Sequence, residues 1–346
     1  MYTHIQARAI AITAMATLLA AACGGSRSIH RTADSDVSSA VTTTSPSTPT
    51  PSSATPPVAA NVSYATAESA FTAHRYADAV PMFDAYTVRH PDNVWAHYML
   101  GVSAWKAGQL DKARDAFEGA LARDPTHAKS LINLGRVLLE EQRPSEALDR
   151  INQVLATDSG SGEAWRVLGR VQGSLGHRDE AVAAYRSAIA LDSTDSWSMN
   201  NMGLLLIDEG QYADAMGPLA RAVQLDSGVA VFHNNLGIAL ERSGYMTAAA
   251  TAYQDALDAD SSYAKAGVSL ARVAGRRDAA DVQPVDVAAL SQQFADQVRS
   301  WRVGRDSGAA TAVCGEPATP VSPTTEGGGS GGRTPAPIDT AGSPKP

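Results

Sequence analysis

Three things are missing from this chain of 346 residues, and each absence narrows what it does. It has no basic excess: 28 Lys and Arg against 36 Asp and Glu leave a formal net charge of −8. A phosphate-binding surface normally shows a cationic excess or stripe, so nucleic acid is excluded as the main partner. It has no long hydrophobic run, since the uncharged apolar stretch from Ala9 to Ala22 falls short of the roughly 20 residues that a bilayer requires. And it has no catalytic signature. There is no HExxH, no Gly-rich phosphate loop and no GxSxG, and the eight His show no ligand spacing. Carboxylate pairs such as Glu140–Glu141 fall at helix ends, where solvation is the default. No enzyme activity, metal or cofactor is therefore expected. Cysteine is nearly absent too, with only Cys23 and Cys314.

What the chain does contain is one phrase written repeatedly. "NNLGIALERSG" (234–244) repeats "NNMGLLLIDEG" (200–210) at an offset of 34 residues. The same step lands on Gly101, Gly135, Gly169, Gly203 and Gly237, and twelve residues past each lies Ala113, Ala147, Ala181, Ala215 or Ala249. Four further on comes a bulky group, Phe117, Ile151, Tyr185, Leu219 or Tyr253. An earlier unit keeps Ala79, Phe83 and Pro91 but has Ala67 in place of the glycine. A fixed period of this length marks a solenoid. Each unit divides into two helical patterns separated by a turn signal, at 107–108, 175–176, 209–210 and 243–244. The small residue of the first helix lets the bulky residue of the second approach, and neighbouring pairs must stack to bury their remaining faces. His97 and His233 occupy the position of Trp165 and are read as packing residues. Gly217, Pro218 and Pro81 depart from the pattern, and each Pro should kink its helix.

These residues resemble the tetratricopeptide repeat, over about 60–263 in six units. The resemblance implies an all-α, right-handed superhelical solenoid. "KAGVSLARVA" (265–274) reads as one more first helix without its partner, and Val287, Leu290, Phe294, Val298 and Trp301 place a second helix near 285–301. Together they form the segment 264–303. The later helix is expected as a cap over the last repeat face, the other reading being an amphipathic peptide that docks elsewhere.

Outside the array the composition changes. Residues 1–22 have Arg8 ahead of the apolar run and small residues before Cys23, the shape of a secretory signal. "LAAAC" resembles the bacterial lipoprotein signal, which implies cleavage before Cys23 and lipid on that cysteine, hence an extracytoplasmic protein anchored in the envelope. Gly24 resembles the outer-membrane sorting class of two-membrane bacteria. Residues 23–59 are rich in Ser, Thr and Pro and cannot bury enough surface to fold, which makes them a tether. Residues 304–346 read as a disordered tail, where Cys314 is either a free thiol or an intermolecular disulfide site.

A solenoid without catalytic groups offers its concave face, lined by positions 2, 5, 9, 12 and 13 of each first helix. These are Trp95, Tyr98 and Trp105, then Lys129, Arg136, Arg166 and Arg170, then Asn200 and Asn234. Aromatic anchors followed by cations suit a protein or peptide ligand with acidic groups; equally, these are solvated side chains on an unused face. Asn133, Asn201 and Asn235 match the Asn of the family's carboxylate clamp, but its Lys–Asn pair is missing. The expected function is a scaffold for assembly of an envelope complex. The layout also resembles pilus-biogenesis lipoproteins that assist secretin assembly, and the aromatics alone would suit a cell-wall carbohydrate.

Overall fold

A computed structural model of the chain describes residues 62–280 and 282–306, with side chains as far as 303. The signal, Cys23, the tether, Cys314 and most of the tail lie outside the described residues. Those residues form helices and no strands. The first pair is α1 (Tyr64–Thr72) with α2 (Tyr76–Arg89), and the second α3 (Val94–Lys106) with α4 (Leu110–Leu121). Next come α5 (Ala128–Glu140) with α6 (Pro144–Thr157) and α7 (Gly162–Leu175) with α8 (Arg178–Leu191). Then follow α9 (Ser196–Asp208) with α10 (Tyr212–Leu225) and α11 (Ala230–Arg242) with α12 (Met246–Ala259). Two more helices follow among the described residues, α13 (Ala264–Val273) and α14 (Val287–Asp306).

The repeated glycine explains why each pair closes so tightly. A Cβ at Gly101 would lie 2.6 Å from the ring of Phe117, one at Gly169 2.6 Å from Tyr185, and one at Gly237 2.5 Å from Tyr253. The partner alanines, Ala113 to Ala249, are fully buried. Turn glycines 108, 176, 210 and 244 have φ between 75° and 93°, the left-handed region that a β-carbon disfavours. In the first and third units the same turn position holds His74 (φ 58°) and Gln142 (φ 59°). Four of the first helices start on side-chain caps: Ser63, Asn93, Ser161 and Asp195 each accept a backbone N–H three residues on.

The position shared by His97, Trp165 and His233 packs as expected and does something more. Each ring N–H donates to a loop carbonyl six residues earlier, Pro91, Ser159 and Ser227, at 2.9 Å in all three cases. This pins the loop entering the second, fourth and sixth units to the helix it begins. Both Pro81 and Pro218 lie inside unbroken helices, α2 and α10.

Successive first helices touch one another from α3 through α5, α7, α9 and α11 to α13, so they run along the inside of the superhelix. Pair α11–α12 is covered by α13. The terminal helix does not cover that end, contrary to the expectation of a cap. It lies on the outer helices α10 and α8, with Phe294 and Val298 buried against them. The seat is over the Gly217–Pro218 departure: a Cβ at 217 would lie 3.5 Å from Phe294, an ordinary contact, so the ring rests against this stretch of α10 and a small side chain there would also fit. Polar contacts fix the register, Ser291 donating to Gln224 at 2.7 Å and Arg302 to Ser193 at 3.1 Å, while the Arg186 guanidinium sits 5.3 Å from the Trp301 ring centre.

Candidate functional site: the inner face of the first helices

The inner face changes character along its length. At α3, Trp95 is 48% exposed and meets Tyr98 and His127 edge to face, with ring centroids 5.4 and 5.2 Å away. Lys129, near the start of α5, lies 5.1 Å from the Trp95 ring centre, a cation–π arrangement. Burial holds the His127 imidazole below its ordinary pKa and pushes the Tyr98 phenol up. Trp105 is half-buried and donates its indole N–H to Glu140 at 2.9 Å. Beside it, burial and then the Arg136 charge pull the Lys106 ammonium below the usual lysine range. Of the three aromatics, Trp95 offers an open surface. Tyr98 and Trp105 are partly enclosed.

The four cations do not behave as one free cluster. Arg136 donates to Glu163 at 2.7 Å and to Asn133 at 2.9 Å. Arg166 donates at 2.8 Å to Asp195, the buried cap of α9, whose other oxygen accepts from Ser198. Both pairs join one repeat to the next, and their charges are largely neutralised. Arg170 is different. It makes no hydrogen bond or ion pair among the described residues, and burial pulls its guanidinium below the usual arginine range.

The two asparagines differ most from the expectation. Asn200 and Asn234 are 3% and 4% exposed, beneath the groove surface. Their amides belong to a ladder between repeats, in which Asn235 donates to Asn200 at 2.9 Å and Asn200 to Asn201 at 3.3 Å. The ladder binds helices together, which removes these two from any ligand-facing role, apart from the Asn234 Oδ1 that is left without a partner.

A carboxylate arrangement that sequence reasoning missed sits at the far end. Glu241 of α11 accepts from the Tyr253 hydroxyl at 2.8 Å and from Arg272 of α13 at 2.9 and 2.7 Å. Arg272 first, and the Tyr253 hydroxyl after the opposing effect of burial, hold the Glu241 carboxyl below its ordinary range. Among the described residues no three His, Cys, Asp or Glu are placed to hold a metal ion, and no helix is long and apolar enough to cross a membrane.

The repeat geometry and the family comparison agree. The tetratricopeptide repeat family is matched at 64–128 and 200–264, at 104–171 and at 162–195, together more than half of the chain. The chain belongs to the tetratricopeptide repeat proteins, and no catalytic family is indicated. A tetratricopeptide repeat protein from Parabacteroides merdae is similar over 60% of this chain and 82% of its own, at 15% identity and TM-score 0.53. The Cut9–Hcn1 hetero-tetramer of the APC/C is similar over 61% of this chain and 42% of its own, at 18% identity and TM-score 0.54. A thermophilic TPR protein from Thermus thermophilus is similar over 52% and 98%, at 20% identity and TM-score 0.48. No curated protein matches the chain at a significant level.

Proposed function

We propose that the chain is a membrane-anchored, extracytoplasmic scaffold that holds a peptide or protein segment with acidic groups in its concave groove, in the service of an envelope complex. The observation that carries the binding reading is the unsatisfied chemistry of the inner face. Trp95 is open to solvent there with Lys129 beside it, and Arg170, with Glu140 near enough to act on its charge, makes no hydrogen bond or ion pair among the described residues. An exposed aromatic anchor and an unpaired arginine are the groups that dominate protein interfaces when they become desolvated. The anchor reading rests on the sequence of residues 1–23, where Cys23 supplies the acceptor for lipid.

Two measurements test the two halves separately. Crosslinking followed by capture from envelope membranes should recover a defined partner with the wild type and lose it with Trp95→Ala, Lys129→Glu, Arg170→Glu, checked for retained helicity. Retention of the same partner by that variant would remove the groove from the account. Metabolic labelling with an alkyne fatty acid should mark the wild type and leave Cys23→Ser unmarked; equal labelling of both would end the lipid-anchor reading.

A further inference from the structure

The chain contains its own example of how a carboxylate is bound beneath the groove. In the α11–α12 unit, the Tyr253 ring packs on Gly237 and its hydroxyl donates to Glu241, four residues further along α11. The α7–α8 unit repeats the frame. There the Tyr185 ring packs on Gly169 with the same closeness, 2.6 Å to an added Cβ against 2.5 Å at Gly237. Four residues past Gly169 stands Gly173, so the side chain that would carry the carboxylate is missing.

Packing does not demand that glycine. Its φ is not in the left-handed region, and an added Cβ would meet Leu205 alone, at an ordinary 3.8 Å. The donors nevertheless remain. Tyr185 is 4% exposed and its hydroxyl has no hydrogen-bond partner among the described residues. Arg170 stands three residues before Gly173, one turn away on the same helix face, and it too is unpartnered. Arg170 follows directly on Gly169, against which the Tyr185 ring packs, so the two groups rise from adjoining positions; burial pushes the Tyr185 phenol up and the Arg170 charge opposes that push. The arginine comes from a different position than in the α11–α12 unit, where Arg272 of the following helix approaches Glu241 from the other side.

Resting on the groove-binding reading above, we propose that the space over Gly173 is a carboxylate subsite. An acidic side chain or the C-terminal carboxylate of a bound peptide there accepts hydrogen bonds from the Tyr185 hydroxyl and the Arg170 guanidinium, as Glu241 does from Tyr253 and Arg272. Charge-assisted bonds to a guanidinium are among the strongest that a groove supplies.

The subsite is tested first without any ligand. Gly173→Glu supplies the carboxylate internally and should melt about 2–4 °C above Gly173→Gln, the difference expected for one charge-assisted bond in an array of this size. The comparison with Gln cancels the gain in helix propensity over glycine. The difference should vanish when Arg170→Leu is added to both; no difference in the Arg170 background overturns the proposal.

The second arm uses three pools of N-acetylated hexapeptides, read by fluorescence anisotropy on the full chain. One pool carries a single Glu and an amidated C-terminus, one a Gln and a free C-terminal carboxylate, and one a Gln and an amidated C-terminus. At least one carboxylate pool should bind at least tenfold tighter than the neutral pool, and that pool identifies the source. Arg170→Leu and Gly173→Glu should each erase the preference. Equal binding of all three pools, lost in Trp95→Ala, would overturn the subsite and leave the groove standing. Failure of every pool to bind the wild type would count against both.

Discussion

At the scale of single residues, the five repeated glycines and the turn position after each first helix carry opposite demands. Gly237 is needed for space, because the Tyr253 ring occupies the volume that a Cβ would take. Gly237→Ala should therefore destabilise by about 1–3 kcal/mol in urea unfolding, overpacking outweighing the better helix propensity of alanine. Gln142 is the reverse case, a residue with a Cβ at φ 59° where four sister units have glycine. Gln142→Gly should raise stability by about 0.5–1 kcal/mol, since relief of the left-handed strain exceeds the added freedom of the unfolded chain. A loss on that substitution would mean that the Gln142 side chain does more than occupy the turn. The sequence displayed the glycine-marked turns plainly. It hid those at 74 and 142, because their residue types carry no left-handed signature and the repeat register was the only guide.

Between elements, two contacts invite measurement. The first joins α11 to α13 through Glu241. Its folded pKa is depressed, so its contribution is fully present above the unfolded carboxyl value of about 4.3 and is lost as pH falls through the lower folded value. Arg272→Met should cost about 2 kcal/mol at pH 7 and should flatten that acid-side slope. An unchanged slope would assign the acid sensitivity to other carboxylates. The second contact is α14 on α8 and α10. Phe294→Ala should lower amide-exchange protection across 287–303 far more than across α3 to α6, because the buried ring holds α14 on the outer helices. Uniform loss over the whole array would show that α14 is not a separable unit. The amphipathic spacing of α14 was legible, but its partner was not: periodicity says which face is apolar and nothing about what that face meets. Gly217–Pro218 departs from the pattern within its own unit, and the residue packed against it, Phe294, lies far along the chain. The groove arginines were overcounted for a related reason. Arg136–Glu163 and Arg166–Asp195 join adjacent repeats, and a cation read within its own unit does not reveal an acid supplied by the next.

For the molecule as a whole, nearest-neighbour stacking makes stability a sum of local terms, so the ends should open before the middle. The first unit is the weak one, with α1 only nine residues long and Ala67 in the glycine position. Hydrogen exchange should show α1 and α2 opening at lower free energy than α7 to α10, and the opposite order would contradict the additive description. The strict chain of neighbours is broken once. By lying on α8 and α10 at once, α14 straddles two consecutive units on the outer side, where, among the described residues, second helices meet chiefly through the first helices between them. An array of this kind behaves as a spring, and α14 is a splint across one of its coils. Pulled from its ends, the protein should lengthen at the unsplinted coils first and keep the pitch between the fourth and fifth units longest. Gly173 and Arg170 lie in the stretch where the spring is stiffest, so the spacing of their donors is the part of the inner face least altered by load.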